Sequence, residues 1–288
     1  MYQYQQFAIL LRGGGDIATG IALRLYRSGF RRLIILETAH PMAVRRRVAF
    51  SEAVYEGLCT VEGITAALAP RPEEIAPLWD AGCIPVMVDP QGVTIPRLRP
   101  EVVIEATLAK RNVGVGITDA PLVIGVGPGF TVGENVHCIV ETNRGHNLGR
   151  VLYSEPDTGI PGDIVGMTTE RVLRAPQTGI FLSRHDIGDH VKAGDVVATV
   201  EANGVSKEIR TVISGVIRGL LRSGTPVTDR IKVGDVDPRD NTACHHVSDK
   251  AFAIGGGILE AILGRFNRPC YIRRGILHCP VDKNVPTA

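Results

Sequence analysis

The sequence is poor in aromatic residues, with one Trp, six Tyr and seven Phe among 288 residues. It has no apolar run of the roughly 18 residues that a membrane helix requires, so we expect no membrane span. Its six cysteines form no Cys-x-x-Cys pair, and 32 Lys and Arg nearly balance 30 Asp and Glu. These absences argue against a disulfide framework and against a nucleic-acid partner. The amino end also lacks a secretory pattern, so we expect a cytoplasmic protein with reduced thiols.

Glycine is abundant, at 33 residues, which indicates many turns and close backbone approaches. The chain is long enough for two domains. We predict an α/β fold in which a Rossmann-like open sheet is followed by a small β barrel-sandwich hybrid domain. The predicted boundaries are a nucleotide-binding domain at 1–150, the β domain at 151–240, a C-terminal helical segment at 241–267 and a loose tail at 268–288.

A strand, a glycine turn and a helix open the chain. The apolar run at 7–12 predicts a buried strand, and the turn contains Gly13, Gly14 and Gly15 before a helix over 17–28. This arrangement fits the dinucleotide fingerprint, in which the glycines let a pyrophosphate approach the backbone at a helix N-terminus. Glu37 follows the next strand, 22 residues after Gly15, where a carboxylate would hold a ribose hydroxyl. A purely structural turn is the alternative.

Two charged groups near this turn have competing interpretations. A carboxylate at Asp16 would repel a pyrophosphate, so we favour a role for Asp16 as the helix N-cap, while keeping it among the cofactor-binding candidates. Three consecutive arginines at 45–47 follow the second strand. They fit a site for an additional phosphate, with Arg46 as the candidate, or an exposed basic surface.

The alternation of short strands and helices continues to about residue 142, which predicts an open α/β sheet. Ligands of such sheets bind outside the carboxyl ends of the strands. Two of these ends are rich in polar and glycine residues: Gly127 and Gly129 follow one strand, and the loop 141–146 follows the next. From this loop we expect Arg144 to bind an anion and Glu141 or His146 to be the catalytic candidate. A hairpin with an ordinary histidine is the alternative.

The second half contains an internal repeat. The pattern around Gly179, Gly188 and Val191 recurs 36 residues later around Gly215, Gly224 and Val227. Two equal halves of short strands predict a quasi-twofold β sandwich that resembles the biotinyl/lipoyl-like barrel-sandwich hybrid. Carrier domains of that type present a modifiable Lys, but Gly204 occupies this position and Lys207 comes three residues later. We therefore expect a docking or oligomerising module, so a homo-oligomer stays open.

The segment after the repeat offers adjacent Cys244, His245 and His246, which is a poor spacing for a tetrahedral metal site, and we expect none. Ser248 is predicted to cap a helix over 249–266 that is interrupted by the three glycines at 255–257.

Taken together, the motifs resemble the YqeB family over residues 7 to about 264. The motifs that carry the resemblance are Arg12 to Gly20, Arg45 to Val54, Ile84 to Val86 with Asp89-Pro90, Pro128 to Thr131, Glu141 to Gly149, Ser248 to Ala251 and Leu259 to Ala261. The family accompanies selenium-dependent molybdenum hydroxylases and is regarded as accessory to their maturation. The resemblance implies that the hydroxylase or its maturation proteins are the partners, and that a nucleotide or a phosphorylated pterin of the molybdopterin type is the cofactor.

An NAD(P)-dependent oxidoreductase acting on a small molecule is the alternative function. Gly13, Gly15 and Glu37 favour it, but the sequence offers no recognisable acid–base pair beside them.

Overall fold

The computed structural model describes residues 3–109, 111–154, 169–239, 243–267, 271–273 and 276–278. The helices are α1 (Asp16–Arg27), α2 (Ala53–Glu56), α3 (Ile75–Asp80), α4 (Ile95–Leu98) and α5 (Asp249–Phe266). Short 3-10 turns lie at Gln3–Gln6, Arg46–Val48, Phe50–Glu52 and Pro72–Glu74. None of the helices in this part of the chain has the length and the apolar run that a transmembrane segment requires.

The first nine strands of the described chain form one sheet in the order β3-β4-β5-β2-β1-β6-β7-β8-β9. They are β1 (Ala8–Arg12), β2 (Arg32–Glu37), β3 (Leu58–Val61), β4 (Ile64–Leu68), β5 (Ile84–Val88), β6 (Val102–Glu105), β7 (Leu122–Val126), β8 (Cys138–Val140) and β9 (Val151–Leu152). All neighbours from β4 to β8 are parallel, whereas β3 and β9 are antiparallel edge strands. The predicted large parallel sheet is therefore confirmed, and the β3–β4 hairpin was not predicted.

Helix α5 belongs to the α/β core although it follows the β domain in sequence. It packs against α1 and the β7–β9 edge of the sheet. Ser248 caps it as predicted, since its hydroxyl accepts a hydrogen bond from the Ala251 amide. The predicted interruption at 255–257 is wrong, because the helix is continuous. A Cβ on Gly255 would lie 3.1 Å from the Arg24 Cβ atom, so the missing side chain lets α1 and α5 approach closely.

The β domain consists of two four-stranded sheets, ordered β10-β17-β15-β12 and β14-β13-β11-β16. The strands are β10 (Val172–Arg174), β11 (Gly179–Ser183), β12 (His190–Val191), β13 (Val196–Ala202), β14 (Val205–Arg210), β15 (Gly215–Leu220), β16 (Pro226–Val227) and β17 (Lys232–Asp237). Gly179 pairs with Val227, and Gly215 pairs with Val191, so the two halves exchange strands symmetrically. The apolar side chains of both sheets form a separate core.

Glycine is required at the same place in both halves. A Cβ on Gly179 would lie 2.3 Å from the Glu201 carbonyl oxygen, and one on Gly215 would lie 2.2 Å from that of Asp237. Each pair is related to the other by the 36-residue offset. The recurring glycines thus mark the close crossing of strands, which explains why the repeat is visible in the sequence.

In the region predicted to be a loose tail, β18 (Tyr271–Arg273) and β19 (Ile276–His278) form an antiparallel pair. The remaining residues beyond 267 lie outside the described part of the chain.

Candidate functional site

A cleft of about 680 Å³ lies between the carboxyl-terminal edge of the large sheet and the β domain. The α/β side is formed by the glycine turn, the segments after β2 and β6, Ser51, Arg144 and two residues at the start of α5, Ser248 and Lys250. Residues of β15, β17 and the chain before β10 form the other side. The charged residues lining the cleft are Asp16, Glu37, Arg45, Arg144, Arg171, Arg218, Lys232, Asp235 and Lys250. Six of these are cationic and three are acidic, so the cleft favours an anion.

The glycine turn is built from three glycines with different tasks. Gly13 has a φ of +91°, a conformation that favours glycine, and a Cβ there would lie 3.1 Å from the Thr107 backbone. A Cβ on Gly14 would lie 2.9 Å from the Ser51 amide nitrogen, so this glycine is enclosed by protein. Gly15 has nothing within 4 Å of such a Cβ and lines the cleft. Only Gly15 therefore leaves room for a bound group.

The helix that follows does not have the predicted N-cap. Gly15 occupies the N-cap position and Asp16 is the first helical residue. Because glycine has no side chain, this helix has no side-chain cap. The Asp16 carboxylate instead lies 3.9 Å from Nη1 of Arg45. The predicted capping role is wrong because the turn brings Gly15 into the flanking position one residue earlier. Asp16 does line the cleft.

Glu37 supports the glycine turn. Its Oε2 accepts a hydrogen bond of 2.8 Å from the Gly14 amide, and its Oε1 accepts one of 2.7 Å from the Thr38 amide. The carboxylate lines the cleft as expected, but both oxygens already bind backbone amides. Each carboxylate oxygen has a second lone pair, so a ribose hydroxyl could donate only to an oxygen that already accepts a backbone amide. The ribose contact stays a prediction.

Arg45 lines the cleft, and only 7% of its surface is exposed. Its Nη2 donates to the His246 carbonyl at 2.9 Å, but its Nε and Nη1 have no hydrogen-bond partner among the described residues. Burial, followed by the neighbouring charge of Arg218, lowers the pKa of this guanidinium below its ordinary value. A buried N–H group of a charged guanidinium destabilises the protein when it has no acceptor, so this arginine is suited to binding an anion.

The cations on the opposite side come from the β domain, and the sequence analysis missed them. Arg171 and Lys232 form ion pairs with Asp235 at 3.1 and 2.9 Å. Burial alone would raise the pKa of Asp235, but Lys232, Arg171 and Arg218 together lower it. We call Arg171, Arg218, Lys232 and Asp235 the β wall. Scattered basic residues of a β repeat carry no local motif, so only the packing of the two domains reveals them.

Arg144 lines the cleft, as predicted, but its guanidinium is already paired. It donates two hydrogen bonds, of 2.8 and 3.0 Å, to the carboxylate of Asp249 at the start of α5. The Asp249 hydrogen bond raises the pKa of Arg144, and Arg144 lowers the pKa of Asp249 to about 2. A bound anion would therefore compete with this carboxylate or share the arginine with it.

The other residues predicted around this loop do not line the cleft. Glu141 is buried, and its Oε1 accepts a hydrogen bond of 2.6 Å from the Asn143 amide, which holds the loop in shape. His146 is exposed at the loop surface. Gly127 (φ +85°) and Gly129 (φ +99°) shape the neighbouring loop, where Gly127 packs against Leu108 and Thr142. The catalytic roles of Glu141 and His146 stay predictions without support from this geometry.

Arg46 belongs to the domain contact rather than to the cleft. Its Nε donates to the Leu220 carbonyl at 2.8 Å, and its Nη2 donates to Asp186 at 3.1 Å. Arg47 pairs with the same carboxylate at 3.3 Å. The three consecutive arginines thus diverge, because the 3-10 turn that contains Arg46 and Arg47 points them towards the β domain. Of the three, Arg45 alone lines the cleft, so the choice of Arg46 is corrected to Arg45.

The hairpin that would carry a modified lysine ends in a tight turn. Ala202 pairs with Val205, and the two residues between them, Asn203 and Gly204, have φ values of 50° and 76°. Two positive φ angles in a two-residue loop are typical of an Asn-Gly hairpin. Lys207 lies within strand β14, opposite Val200, rather than at the turn.

Comparison with a known family agrees with the fold of the β domain. Residues 171–236 match the Biotin_lipoyl family model, described as biotin-requiring enzyme. Among solved structures, the urea carboxylase of Kluyveromyces lactis is 24% identical over 30% of this chain and 8% of its own, with a TM-score of 0.23. An aspartoacylase family protein of Mesorhizobium loti is 16% identical over 80% of this chain and 85% of its own, with a TM-score of 0.27.

A much stronger similarity exists to a protein of Escherichia coli (strain K12), the uncharacterized protein YqeB. The two are 49% identical over 259 residues, which is 88% of this chain. The aligned part is 47% of the relative, so the chain spans about half the length of that protein. These findings relate the chain to the YqeB protein over most of its length and identify its β domain as biotinyl/lipoyl-like.

Proposed function

We propose that the protein binds a nucleotide or a phosphorylated pterin in the cleft and acts as an accessory protein in the maturation of a selenium-dependent molybdenum hydroxylase. The setting is the one implied by the YqeB resemblance. The binding role rests chiefly on Arg45, a buried cation in the cleft whose Nε and Nη1 have no hydrogen-bond partner among the described residues. Protein–ligand hydrogen bonds to a charged group contribute about 1.5–3 kcal/mol each, enough to make such an arginine a principal anchor.

The sheet topology supports the same position for the ligand. The strand order β5-β2-β1-β6-β7-β8 supports a doubly wound, Rossmann-like sheet, because the order of the strands reverses between β1 and β6. Ligands of open parallel sheets bind outside the strand ends at this switch point. The glycine turn after β1 and Thr107 after β6 both line the cleft there.

The β domain acts, in this proposal, as a fixed part of the site and a surface for the partner, and not as a carrier. Asn203-Gly204 fills the hairpin turn where a carrier presents its lysine. Arg222 further attaches the domain to Glu52 and Glu56 of the α/β part, at 2.7 and 2.6 Å. An intact mass equal to that of the unmodified chain is expected, and a biotin or lipoyl adduct on Lys207 would contradict it.

The proposal is tested by calorimetric titration of the purified protein with NAD, NADP, CTP and molybdopterin cytosine dinucleotide. At least one is expected to bind the wild-type protein and raise its melting temperature. Arg45→Gln should weaken that binding at least about tenfold, the loss of one charge-assisted contact. Arg47→Gln is the matched control, because it removes a neighbouring arginine outside the cleft. Equal losses in both variants would place binding elsewhere.

An NAD(P)-dependent oxidoreductase is kept as the second candidate, because the strand order and the glycine turn also suit a dinucleotide. The two candidates are separated by following the absorbance of reduced nicotinamide with small-molecule substrates. In a strain lacking its own copy, the accessory role requires that the Arg45→Gln variant fail to restore hydroxylase activity while Arg47→Gln restores it.

A further inference from the structure

The two halves of the β domain are related so closely that their differences are informative. A register shift between Val196 and Ala198 recurs 36 residues later, where Arg174 pairs with Lys232 and Leu173 pairs with Gly234. The pairs Phe181–Val200 and Ile217–Val236 also correspond. One half therefore serves as an internal reference for the other.

Most of the β wall is present in only one of the halves. The residues 36 positions before Arg218, Lys232 and Asp235 are Leu182, Val196 and Thr199, which are uncharged, whereas Arg171 corresponds to Lys207. A second register shift, between Ile217 and Gly219, has no counterpart in β11, where consecutive residues pair with consecutive residues of β13. Arg218 lies at this irregularity. Bulges of this kind re-aim a side chain and are frequent next to binding sites.

The wall has a surplus of buried positive charge. The side chains of Arg171 and Arg218 are 14% and 11% exposed, and the Nε of each has no hydrogen-bond partner among the described residues. Asp235 pairs with two of the cations and Asp237 lies 3.7 Å from Arg218, but Asp237 also pairs with Arg239 at 2.6 Å. A cluster of cations held this close in a cleft gains stability from a bound anion.

The wall is also held at a constant position relative to the glycine turn. Leu220, two residues after Arg218, donates its amide to the Val44 carbonyl at 2.7 Å, next to Arg45. The Arg46 contact to Leu220 and the paired arginines at Asp186 fix the same edge. The glycine turn and the β wall thus face one cleft, and the contact between their domains is made by backbone and side-chain hydrogen bonds.

We propose that the β wall is a second anion subsite and that the ligand is a nucleotide bearing two separate phosphate groups, one at the glycine turn and one at Arg218, Arg171 and Lys232. This inference rests on the proposed binding function and assigns to the β domain a direct part in ligand recognition. Asp235 is then a positioning residue that orients Arg171 and Lys232.

The probes are adenosine 5′-monophosphate and its 2′,5′- and 3′,5′-bisphosphate derivatives, titrated into the full chain by calorimetry. At least one bisphosphate is expected to bind the wild-type protein about tenfold more tightly than the monophosphate, the worth of one further charge-assisted contact. Lys232→Val, which installs the residue of the other half, and Arg218→Gln should each reduce this advantage, measured against the monophosphate affinity of the same variant, to less than about threefold. Lys207→Gln, on the exposed strand of the other sheet, should preserve it.

The titrations distinguish failure of the second subsite from failure of the proposed cleft binding. If the monophosphate binds but neither bisphosphate gains affinity, or if the gain survives in both wall variants, the second subsite is overturned and the cleft proposal stands. If none of the probes binds the wild-type protein, the adenine-nucleotide form of both proposals is overturned. Melting temperatures of the variants check that the wall substitutions leave the domain folded.

Discussion

The glycine turn at 13–15 and the loop at 141–146 occupy similar places at the carboxyl edge of the sheet but have different surroundings. Gly15 faces an open cleft, with nothing within 4 Å of a Cβ built on it. The second loop is held against α5, since a Cβ on Gly149 just after it would lie 2.5 Å from the Ala253 carbonyl of α5, and Arg144 is paired with Asp249. At the second loop, a later element of the chain thus supplies a partner, Asp249, for the cation that a ligand would otherwise bind, whereas Gly15 still leaves open space.

The largest expected effect is the loss of ligand binding in Gly15→Val. The valine would project into the cleft, and the φ of −65° at this position suits any residue, so stability should change little. Calorimetry with the best nucleotide and a thermal melt measure the two quantities. Binding that persists in Gly15→Val would show that the turn is purely structural.

Gly14→Val sharpens the contrast within the same turn. Here the added side chain meets the Ser51 amide and the Ile35 side chain, at 2.9 and 3.1 Å from the Cβ position. Overpacking of this kind costs about 1–3 kcal/mol, so the free energy of unfolding should fall by that amount. Urea denaturation measures it. A Gly14→Val protein as stable as Gly15→Val would contradict the difference in surroundings.

Arg144→Ala tests whether the loop at 141–146 contributes to binding at all. If the arginine shares its guanidinium with the ligand, its removal should weaken binding by roughly tenfold and impair support of hydroxylase activity in a strain without the native copy. Asp249→Asn should then strengthen binding, because it releases the guanidinium. His146→Asn, at an exposed position, should have a milder effect than Arg144→Ala. Full activity and unchanged affinity in Arg144→Ala would confine the site to the open turn and the β wall.

The smallest effect concerns pH. Since the pKa of Asp249 is lowered to about 2 in the folded protein, its ion pair stabilises the fold above its unfolded pKa of about 3.9 and is lost as the pH falls towards 2. The pair is partly exposed, so the contribution should be about 0.2–1 kcal/mol. The melting temperatures of wild type and Asp249→Asn should differ near neutral pH and converge between pH 4 and 2. A constant difference over this range would contradict the assignment.

Local patterns predicted much of the architecture. The apolar runs, the glycine turn before α1 and the Ser248 cap all depend on contacts between residues close in sequence, and the 36-residue repeat revealed the β sandwich. The continuous α5 was missed, because the glycines at 255–257 signal weakness in an isolated helix. Only the packing of Gly255 against α1 and of Gly257 against Gly149 shows that these two glycines permit close contact.

The candidate site was predicted in part. The positions of Gly15, Glu37 and Arg144 beside the cleft could be inferred, since strand ends of a parallel sheet share one edge. Arg45 could not be distinguished from Arg46 and Arg47, because three consecutive arginines differ only in the direction that the backbone gives them. The β wall could not be predicted, because its residues are dispersed in the sequence from 171 to 235 and form no local motif.

Most strands, the glycine turn, the repeat and the absence of a lysine at the carrier position can be read from the sequence. Folding adds that Asp249 of α5 pairs with Arg144, that Arg45 is buried without a full set of acceptors, and that the β domain supplies cations to the cleft. The physical reason is range: backbone preferences and hydrophobic periodicity act over a few residues, whereas desolvation and charge pairing depend on groups that folding brings together from more than a hundred residues apart.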